Sequence, residues 1–464
     1  MAILRYIAGL LMFAGVFSGS GRASEDIKGA DDRYKADILV VVAHPDDEGA
    51  VTPYLARGIY DLHKRVAVVF GTHGGSGANN YGPARAGALA DMREIEAREA
   101  CARLGISNVW FLDGKDTASQ NVLNSLANWG HGANLEKMVE LIRLTRPEVI
   151  ITSLPGVFIG ENHGDHQATG VIATEAFDLA GSVTAFPSQV AGASPKREVY
   201  LENLNPWQPK KIYYFADAQD DRQFANTGPA YSTTEISPSQ KKPYWKLALY
   251  AALTHLTQYP EDIEKISKLS DAEIEKQMND PQQGWWSNPE TLIFGKSYYL
   301  SKPTDDVFAN LQGKPPTCAV PPHVAAPAGE TTVELGGPWG FYKQFRKDHC
   351  LNELPVAKVP EIAIKSGSML GVPITIHHEA GKELEITVSA LVPNGWKVAS
   401  GGGKLKLPAE ERTNLQVGIE TPVLAESDLK TAKTETILVQ VELAGHAAQS
   451  LELKVSLRGS ALPQ

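Results

Sequence analysis

The sequence predicts an α/β fold, a Rossmann-like parallel sheet with helices on both faces, followed by an all-β sandwich domain. Two observations predict the first part. Short unbroken runs of aliphatic residues are typical of strands buried on both faces of a parallel sheet. These runs alternate with helical patterns, as expected when helices cover such a sheet. A third observation, period-two alternation after Pro355, predicts the antiparallel sandwich.

The alternation of strands and helices can be followed along the first part of the chain. The aliphatic runs cover residues 38–42, 65–70, 109–112 and 148–152, and the helical patterns cover 49–62, 84–104, 134–145 and 167–179. Strands and helices in this order form parallel units whose crossovers are right-handed.

The second part of the chain has a different composition. Residues 303–355 are rich in Pro and Ala at their start, which predicts a linker and connecting segment. Residues 356–460 alternate apolar and polar side chains in short runs separated by turn residues, which predicts the sandwich. We expect His377 and His378 to be exposed strand residues, because no acidic or Cys partner stands at a metal-binding spacing from them.

Length and charge limit the possible classes. A chain of 464 residues is expected to form two domains, and three are possible. The net charge of −10 and the absence of a Lys/Arg block argue against a nucleic-acid partner. Residues 1–23 resemble an export signal whose apolar run is too short to span a bilayer. We therefore expect an exported protein, periplasmic or extracellular, with no membrane span in the mature chain.

The three cysteines fit an exported protein. Cys101 lies in a helical pattern and is expected to be a small buried residue. Cys318 and Cys350 flank a Pro-rich segment and could form a disulfide, although spacing alone does not show that they approach each other.

Acidic and histidine side chains follow two of the predicted strands. Residues 44–48 (HPDDE) come directly after the first strand, and residues 161–166 (ENHGDH) follow the fourth. Acids at a helix start are often only caps, and a lone His-rich loop is often only solvated. A cap does not explain His44, whose cation is unfavourable at a helix N-terminus. Two such turns at one edge of a parallel sheet can converge on a single site.

These residue types suit a hydrolytic metal centre. A catalytic zinc keeps three protein ligands and an open position, and His44, Asp47 and His166 would supply such a set. Asp46 could then accept a proton from water as general base. His163 could stabilise an oxyanion or protonate the leaving amine, with Asp165 orienting it and favouring its charged form. This chemistry cleaves an amide or an ester.

The same residues resemble the PIG-L (LmbE-like) N-deacetylase family. Ala43 with residues 44–48 is similar to the family's AHPDDE signature, and residues 163–166 are similar to its second motif, with Gly164 where the family usually has Pro. Further similar blocks are Arg93-x-x-Glu96, residues 208–213 and residues 255–258. The resemblance implies a deacetylase domain over residues 36–302. Residues 392–396 (VPNGW) resemble a turn of NEW3-type immunoglobulin-like modules.

The resemblance also implies an activity and the residues that perform it. It implies zinc on His44, Asp47 and His166, Asp46 as base and His163 as the electrophilic partner. The implied reaction removes an acetyl or other acyl group from the amine of an amino sugar or related amide.

Two further residues have alternative roles under the resemblance. Arg93 either contacts substrate or forms a structural ion pair, with Glu96 as the partner that helical spacing offers. His255 either reaches the wall of the site or is a hydrogen-bonded core residue.

The sequence thus predicts a zinc-dependent N-deacetylase acting on a small-molecule or glycan substrate, although another divalent metal could fill the site. One alternative is an amidase of the same fold that acts on a non-sugar amide or thiol conjugate. Another is a carbohydrate-binding protein whose front domain is inactive. The oligomeric state is left open by the sequence.

Overall fold

The computed structural model describes residues 30–157, 163–190, 203–216, 224–280, 283–313, 331–429 and 433–459. The predicted export signal at 1–23 and Cys318 lie outside the described residues. Cys101 is a free buried thiol, as expected. Cys350 is disulfide-bonded, and the identity of its partner stays a prediction. Within the described residues, no helix is both long and apolar enough to cross a bilayer.

A six-stranded sheet forms the centre of the first part of the chain. Its strands are β1 (Ile38–Val42), β2 (Val66–Thr72), β3 (Asn108–Gly114), β4 (Val149–Ser153), β5 (Lys211–Phe215) and, after the short pair β6 (Ala230–Tyr231) and β7 (Glu290–Thr291), β8 (Ile293–Ser297). The order across the sheet is β3-β2-β1-β4-β5-β8. All neighbours are parallel except β5 and β8, which are antiparallel.

Helices cover this sheet and connect its strands. They are α1 (Thr52–Tyr60), α2 (Gly87–Arg103), α3 (Val122–Trp129), α4 (His131–Thr145), α5 (Gly164–Leu179), α6 (Pro187–Val190), α7 (Tyr244–Ala252), α8 (Pro260–Ser267) and α9 (Asp271–Met278), with 3-10 turns at Asp32–Tyr34 and Asp47–Val51.

The side chains of β1 show that both faces of the sheet are buried. Leu39 and Val41 belong to one core cluster, which includes residues of α4 and α5. Ile38, Val40 and Val42 belong to a second cluster, which includes residues of α1, α2 and α7. The predicted α/β class with helices on both faces is therefore confirmed.

Two packed sheets form the second part of the chain. Its elements are β9 (Thr331–Leu335), α10 (Gly337–Asp348), β10 (Glu361–Lys365), β11 (Met369–His378), β12 (Leu384–Leu391), β13 (Lys397–Ser400), β14 (Gly403–Leu407), β15 (Glu411–Glu420), α11 (Glu426–Leu429), β16 (Glu435–Leu443) and β17 (Gln449–Arg458). One sheet has the order β10-β17-β16-β12-β14 and the other β13-β15-β11-β9. Inward-facing residues of both sheets share one apolar core.

The structure differs from the predicted sandwich in two details. Strand β9 lies in the segment predicted as a connector, yet it pairs with β11 as an edge strand of the sandwich. Its five residues were too short a run to stand out beside the Pro-rich composition. Strand β10 pairs with β17 in parallel, whereas the prediction was an antiparallel sandwich throughout.

The expectation that His378 is exposed is wrong. Its side chain is buried at 3% exposure. The ring contacts the Thr331 hydroxyl through Nδ1 at 2.7 Å and the Lys382 carbonyl through Nε2 at 2.7 Å. His377 is half-buried and lies 3.1 Å from a Glu334 carboxylate oxygen. Both partners of His378 lie outside its strand, so period-two reasoning along β11 could not identify them.

Candidate active site

The candidate site lies where the strand order of the parallel sheet reverses. From β1 the chain winds to β2 and β3 on one side, whereas β4 lies on the other side of β1. The carboxyl ends of two such neighbouring strands border a crevice in which open α/β sheets bind ligands. His44 comes two residues after β1 ends, and His163 and His166 lie at the start of α5, which follows β4.

Three ring and carboxylate atoms form a small triangle in this crevice. His44 Nδ1 lies 3.2 Å from His166 Nε2, and Asp47 Oδ2 lies 3.3 Å from each of these nitrogens. Zinc bonds to such atoms measure about 2.0–2.2 Å, so two ligands of a tetrahedral ion are about 3.3–3.5 Å apart. The triangle therefore has the size of one face of a tetrahedral metal site.

The electrostatics of the triangle favour a positive charge at its centre. Burial by itself would lower the pKa of His44, but the charge of Asp47 and a hydrogen bond with Asp165 outweigh burial and raise that pKa to about 9. Burial opposes ionisation of Asp47 as well, yet His166 and His44 hold the pKa of Asp47 well below its usual value. A divalent cation would take the place of the imidazole protons, since metal ligands must be deprotonated.

Asp165 supports His44 rather than His163. Its Oδ2 lies 3.3 Å from His44 Nε2 and accepts a hydrogen bond of 2.7 Å from the Thr117 backbone N–H. The same oxygen is 3.9 Å from His163 Nδ1, too far for a hydrogen bond. The prediction that Asp165 orients His163 through its carboxylate is thus corrected. A carboxylate on the second nitrogen of a ligating His fixes the tautomer and orientation of that ring.

His163 is arranged as a neutral hydrogen-bond donor. Its Nδ1 accepts the Asp165 backbone N–H at 3.2 Å, which places the proton of a neutral ring on Nε2. Burial, followed by repulsion from His44 and His166, lowers the pKa of His163 to about 4. Nε2 is buried with no hydrogen-bond partner among the described residues. The predicted charged form is therefore not favoured, but a neutral Nε2–H can still donate to an oxyanion.

Asp46 is held in a strained conformation by its neighbours. Its φ of 114° lies in the left-handed region, which is unusual for a residue with a side chain. Its backbone N–H donates to Glu48 Oε2 at 3.0 Å. Arg93 donates to its Oδ1 at 2.9 Å and the Tyr259 hydroxyl to its Oδ2 at 2.7 Å. Burial raises the pKa of Asp46 above its usual value, although the charge of Arg93 opposes this rise.

Arg93 lies beneath the site rather than in the open crevice. Its side chain is 2% exposed and also donates to the Pro45 carbonyl at 2.6 Å. The guanidinium packs against Gly74, where a Cβ would lie 2.7 Å from it. Of the two predicted roles, the structure supports the ion pair, with Asp46 as the partner. Glu96 instead accepts hydrogen bonds from the Thr257 N–H and hydroxyl.

His255 is a hydrogen-bonded core residue. It is 1% exposed, and its Nε2 lies 2.7 Å from Glu48 Oε1. Because the other oxygen of Glu48 accepts the Asp46 N–H, His255 and Glu48 together hold the backbone of Asp46. The alternative that His255 reaches the wall of the site is not supported.

Sequence reasoning assigned no role to two residues that the structure places at the site. Tyr259 donates its hydroxyl to Asp46. In the sequence it directly follows the block 255–258 that resembles the family. Asp116 follows β3 and has an oxygen within 4.8 Å of ring or carboxylate atoms of His44 and Asp165. Its Oδ1 is buried without a hydrogen-bond partner among the described residues. Asp116 could have been found from the sequence, because it is an acidic residue that follows a third strand of the parallel sheet.

Comparison with known proteins identifies relatives of this part of the chain. The family model described as GlcNAc-PI de-N-acetylase (PIG-L) matches residues 39–177. A curated relative is 1D-myo-inositol 2-acetamido-2-deoxy-alpha-D-glucopyranoside deacetylase of Thermobifida fusca. It is 26% identical over 260 residues, which are 48% of this chain and 82% of the relative.

Solved structures give more distant matches. N,N'-diacetylchitobiose deacetylase from Pyrococcus horikoshii is 18% identical, with a TM-score of 0.36 over 58% of this chain and 86% of that one. GalB, a 4-carboxy-2-hydroxymuconate hydratase from a Pseudomonas, is 16% identical, with a TM-score of 0.36 over 57% and 99%. The family match is the finding that identifies the domain: residues 39–177 of this chain form a PIG-L family domain.

Proposed function

We propose that this protein is a metal-dependent hydrolase that removes an acetyl or other acyl group from the amine of an N-acylated amino sugar or glycoconjugate. The single observation that supports it most is the triangle of His44 Nδ1, Asp47 Oδ2 and His166 Nε2, which suits a metal with an open position. The family match and the deacetylase relative support a substrate in which an amide bond is carried by a sugar.

The donor set suits zinc best among common divalent ions. Two imidazole nitrogens and one carboxylate oxygen are typical ligands of catalytic zinc, although other divalent ions accept them too. We propose His44, Asp47 and His166 as the ligands, with Asp165 fixing the His44 ring. When bound, the ion would lower the pKa of a water molecule and polarise the substrate carbonyl.

The residues around the triangle provide the proton transfers. Asp46, as general base, accepts the proton of the attacking water and passes it to the amine nitrogen as the C–N bond breaks. His163 donates its Nε2–H to the carbonyl oxygen while negative charge develops there. The products are a carboxylate and a free amine. Arg93 and Tyr259 fix the orientation of the Asp46 carboxylate through their hydrogen bonds.

The test combines metal analysis with product analysis. The purified chain is loaded with zinc, and acetate release is measured from N-acetylglucosamine oligomers and from a panel of non-sugar N-acetyl amides and thiol conjugates. We expect release from the oligomers. Turnover of the non-sugar compounds alone would support the amidase alternative. Saccharide binding with no turnover of any compound would support the carbohydrate-binding alternative.

A pair of variants connects the activity to the proposed base. We expect Asp46→Ala to retain zinc and to lose about 10²–10⁴-fold in kcat/KM, which is the usual contribution of a general acid or base. Asp113→Ala is the matched control, because Asp113 is also an aspartate near the carboxyl end of a sheet strand, β3, but its side chain is 74% exposed. Normal turnover by Asp46→Ala would remove Asp46 from the base role.

A further inference from the structure

A cavity of about 710 Å³ lies between the PIG-L domain and the sandwich. Residues from four parts of the chain line it: the loop 118–121 before α3, Val157 after β4, the start of α10, and the sandwich, through strands β10, β11 and β15 and the turn residue Ser368. Its volume falls within the range of about 300–1,000 Å³ that is usual for ligand pockets. The site residues described above do not line it, so the cavity is a separate feature.

The loop that lines this cavity also contacts the candidate active site. Thr117 donates its backbone N–H to Asp165, and the Ser119 carbonyl accepts the Gly164 N–H at 2.6 Å. Gly164 precedes His166 by two residues, so their Cα atoms are at most about 7.6 Å apart. The cavity wall at Ser119 therefore lies close to a proposed metal ligand, and the loop 117–121 separates the two sites.

Gly164 explains how the loop comes so close. A Cβ at this position would lie 2.7 Å from the Ser119 carbonyl oxygen and 2.8 Å from Ser125 Oγ. A proline, which the related motif usually has, would add this clash and would also lack the N–H that donates to Ser119. The departure from the motif is thus what allows the cavity-lining loop to rest on the catalytic loop.

The sandwich is fixed to the other side of the same loop. The Ala363 backbone N–H donates to Gln120 Oε1 at 2.9 Å, and the Gln120 carbonyl accepts from Gln167 Nε2 at 3.0 Å. Val157, which follows β4, belongs to the apolar core of the sandwich. The sandwich therefore contacts the loop 117–121 through Gln120 and the end of β4 through Val157.

The chemistry of the lining suits a saccharide. Trp339 supplies an indole that is partly buried against the sandwich core and lines the cavity. Asn414 and Gln416 present exposed amide side chains from β15. Among the described lining residues Lys365 is the only charged one, so most of the lining is neutral, as an N-acetylated saccharide is. Indole faces pack against the apolar faces of sugar rings, while amides form hydrogen bonds with hydroxyl groups.

We infer that this cavity binds the distal part of a saccharide substrate whose acylated residue occupies the candidate active site. The inference rests on the proposed function and extends it to substrate length. Saccharides long enough to reach from the active site past the loop 117–121 into the cavity bind more tightly than short ones. The sandwich then selects oligomeric over monomeric substrates.

The test measures binding separately from turnover. N-acetylglucosamine dimers and hexamers are titrated by calorimetry into the full chain carrying Asp46→Ala, which prevents consumption of the ligand. Each titration is repeated with Trp339→Leu or Gln416→Ala added. Leucine keeps an apolar side chain at this partly buried position, which limits the risk of misfolding, but it removes the aromatic face. Gln440→Ala on β16 is the matched control, because Gln440 is a glutamine of the opposite sheet that does not line the cavity.

We expect the hexamer to bind at least about tenfold more tightly than the dimer, an effect of the size of one aromatic contact. Trp339→Leu and Gln416→Ala should reduce this preference and leave dimer binding and zinc content unchanged. Equal affinities for dimer and hexamer, or a preference that both variants retain, would overturn the inference.

Kinetics distinguish failure of this inference from failure of the proposed function. If every oligomer is deacetylated with the same kcat/KM, the proposed function stands and the inference fails. If no oligomer is deacetylated but Trp339→Leu weakens hexamer binding, the cavity is a saccharide site and the proposed function fails.

Discussion

Histidines occur in both parts of this molecule, and their surroundings differ in kind. In the sandwich, each ring nitrogen of the buried His378 has its own partner, a hydroxyl and a carbonyl. In the PIG-L domain, His44 and His166 direct ring nitrogens at one point that Asp47 shares. Buried polar groups with separate partners stabilise a fold. Buried titratable groups that converge on one point are typical of functional sites.

The largest expected effect separates these two kinds of histidine. His44→Ala removes one of the three proposed metal ligands, so we expect no stoichiometric zinc. The activity should fall by more than the factor of about 10²–10⁴ that a single general base contributes. His378→Ala leaves a buried hydroxyl and a carbonyl without a partner, which costs about 1–3 kcal/mol of unfolding free energy, with activity retained. Metal analysis, acetate release and urea unfolding measure both variants.

Two outcomes would contradict this distinction between the two histidines. An active His44→Ala with full zinc content would show that the triangle does not hold the metal. A His378→Ala that loses zinc would show that the sandwich histidine acts on the site.

A smaller effect is expected from the residue behind His44. Asp165→Asn keeps the shape of the side chain but weakens its bond to His44 Nε2, and loss of such support typically costs about 10–100-fold in metal affinity. Competition with a chromogenic zinc chelator measures the affinity, with Asp113→Asn as the exposed control. An unchanged affinity would contradict the assignment of Asp165 to His44 and would reopen its predicted role beside His163.

Much of this arrangement was predictable from the sequence. The aliphatic run 38–42 predicted a doubly buried strand, and the polar residues after it lie at the sheet edge, where parallel strands place them. The contact between Glu48 and His255 was not predictable, because it joins residues 207 positions apart in a core with no periodic signal. The left-handed backbone of Asp46 was not predictable either, since its N–H donates to Glu48, whose other oxygen contacts the distant His255.

The Gly164 contact gives a prediction about stability. We expect Gly164→Ala to cost about 1–3 kcal/mol, because the new Cβ overpacks against Ser119 and Ser125. Gly164→Pro should cost more, since it also removes the N–H bonded to Ser119. Gly132→Ala is the control, as no neighbouring atom lies within 4 Å of the position that its new methyl group would take. Urea unfolding compares the variants, and equal stability of Gly164→Pro and the parent would show that the loop tolerates the family's proline.

The smallest expected effect tests whether a structural role depends on having separate hydrogen-bond partners or on lying in the sandwich domain. Asp61 belongs to the PIG-L part of the chain but resembles His378 in having separate partners: the Ser237 hydroxyl, the Ser239 N–H and the Tyr244 hydroxyl. Burial opposes its ionisation, but these hydrogen bonds prevail and lower the pKa of Asp61 to about 2. The unfolded value is about 3.9. Asp61 therefore stabilises the fold above about pH 4, and this contribution is lost as the pH falls towards about 2.

Asp61→Asn should remove that part of the acid dependence without changing zinc content or turnover at neutral pH. The difference between the parent and Asp61→Asn in unfolding free energy should be constant above about pH 4 and shrink below it, because only the carboxylate form keeps all three bonds. Asp91→Asn, on the exposed side of α2, provides the control. A loss of activity at neutral pH would contradict the rule that separately partnered groups are structural. A difference that does not depend on pH would show that the hydroxyl bonds do not select the charged form.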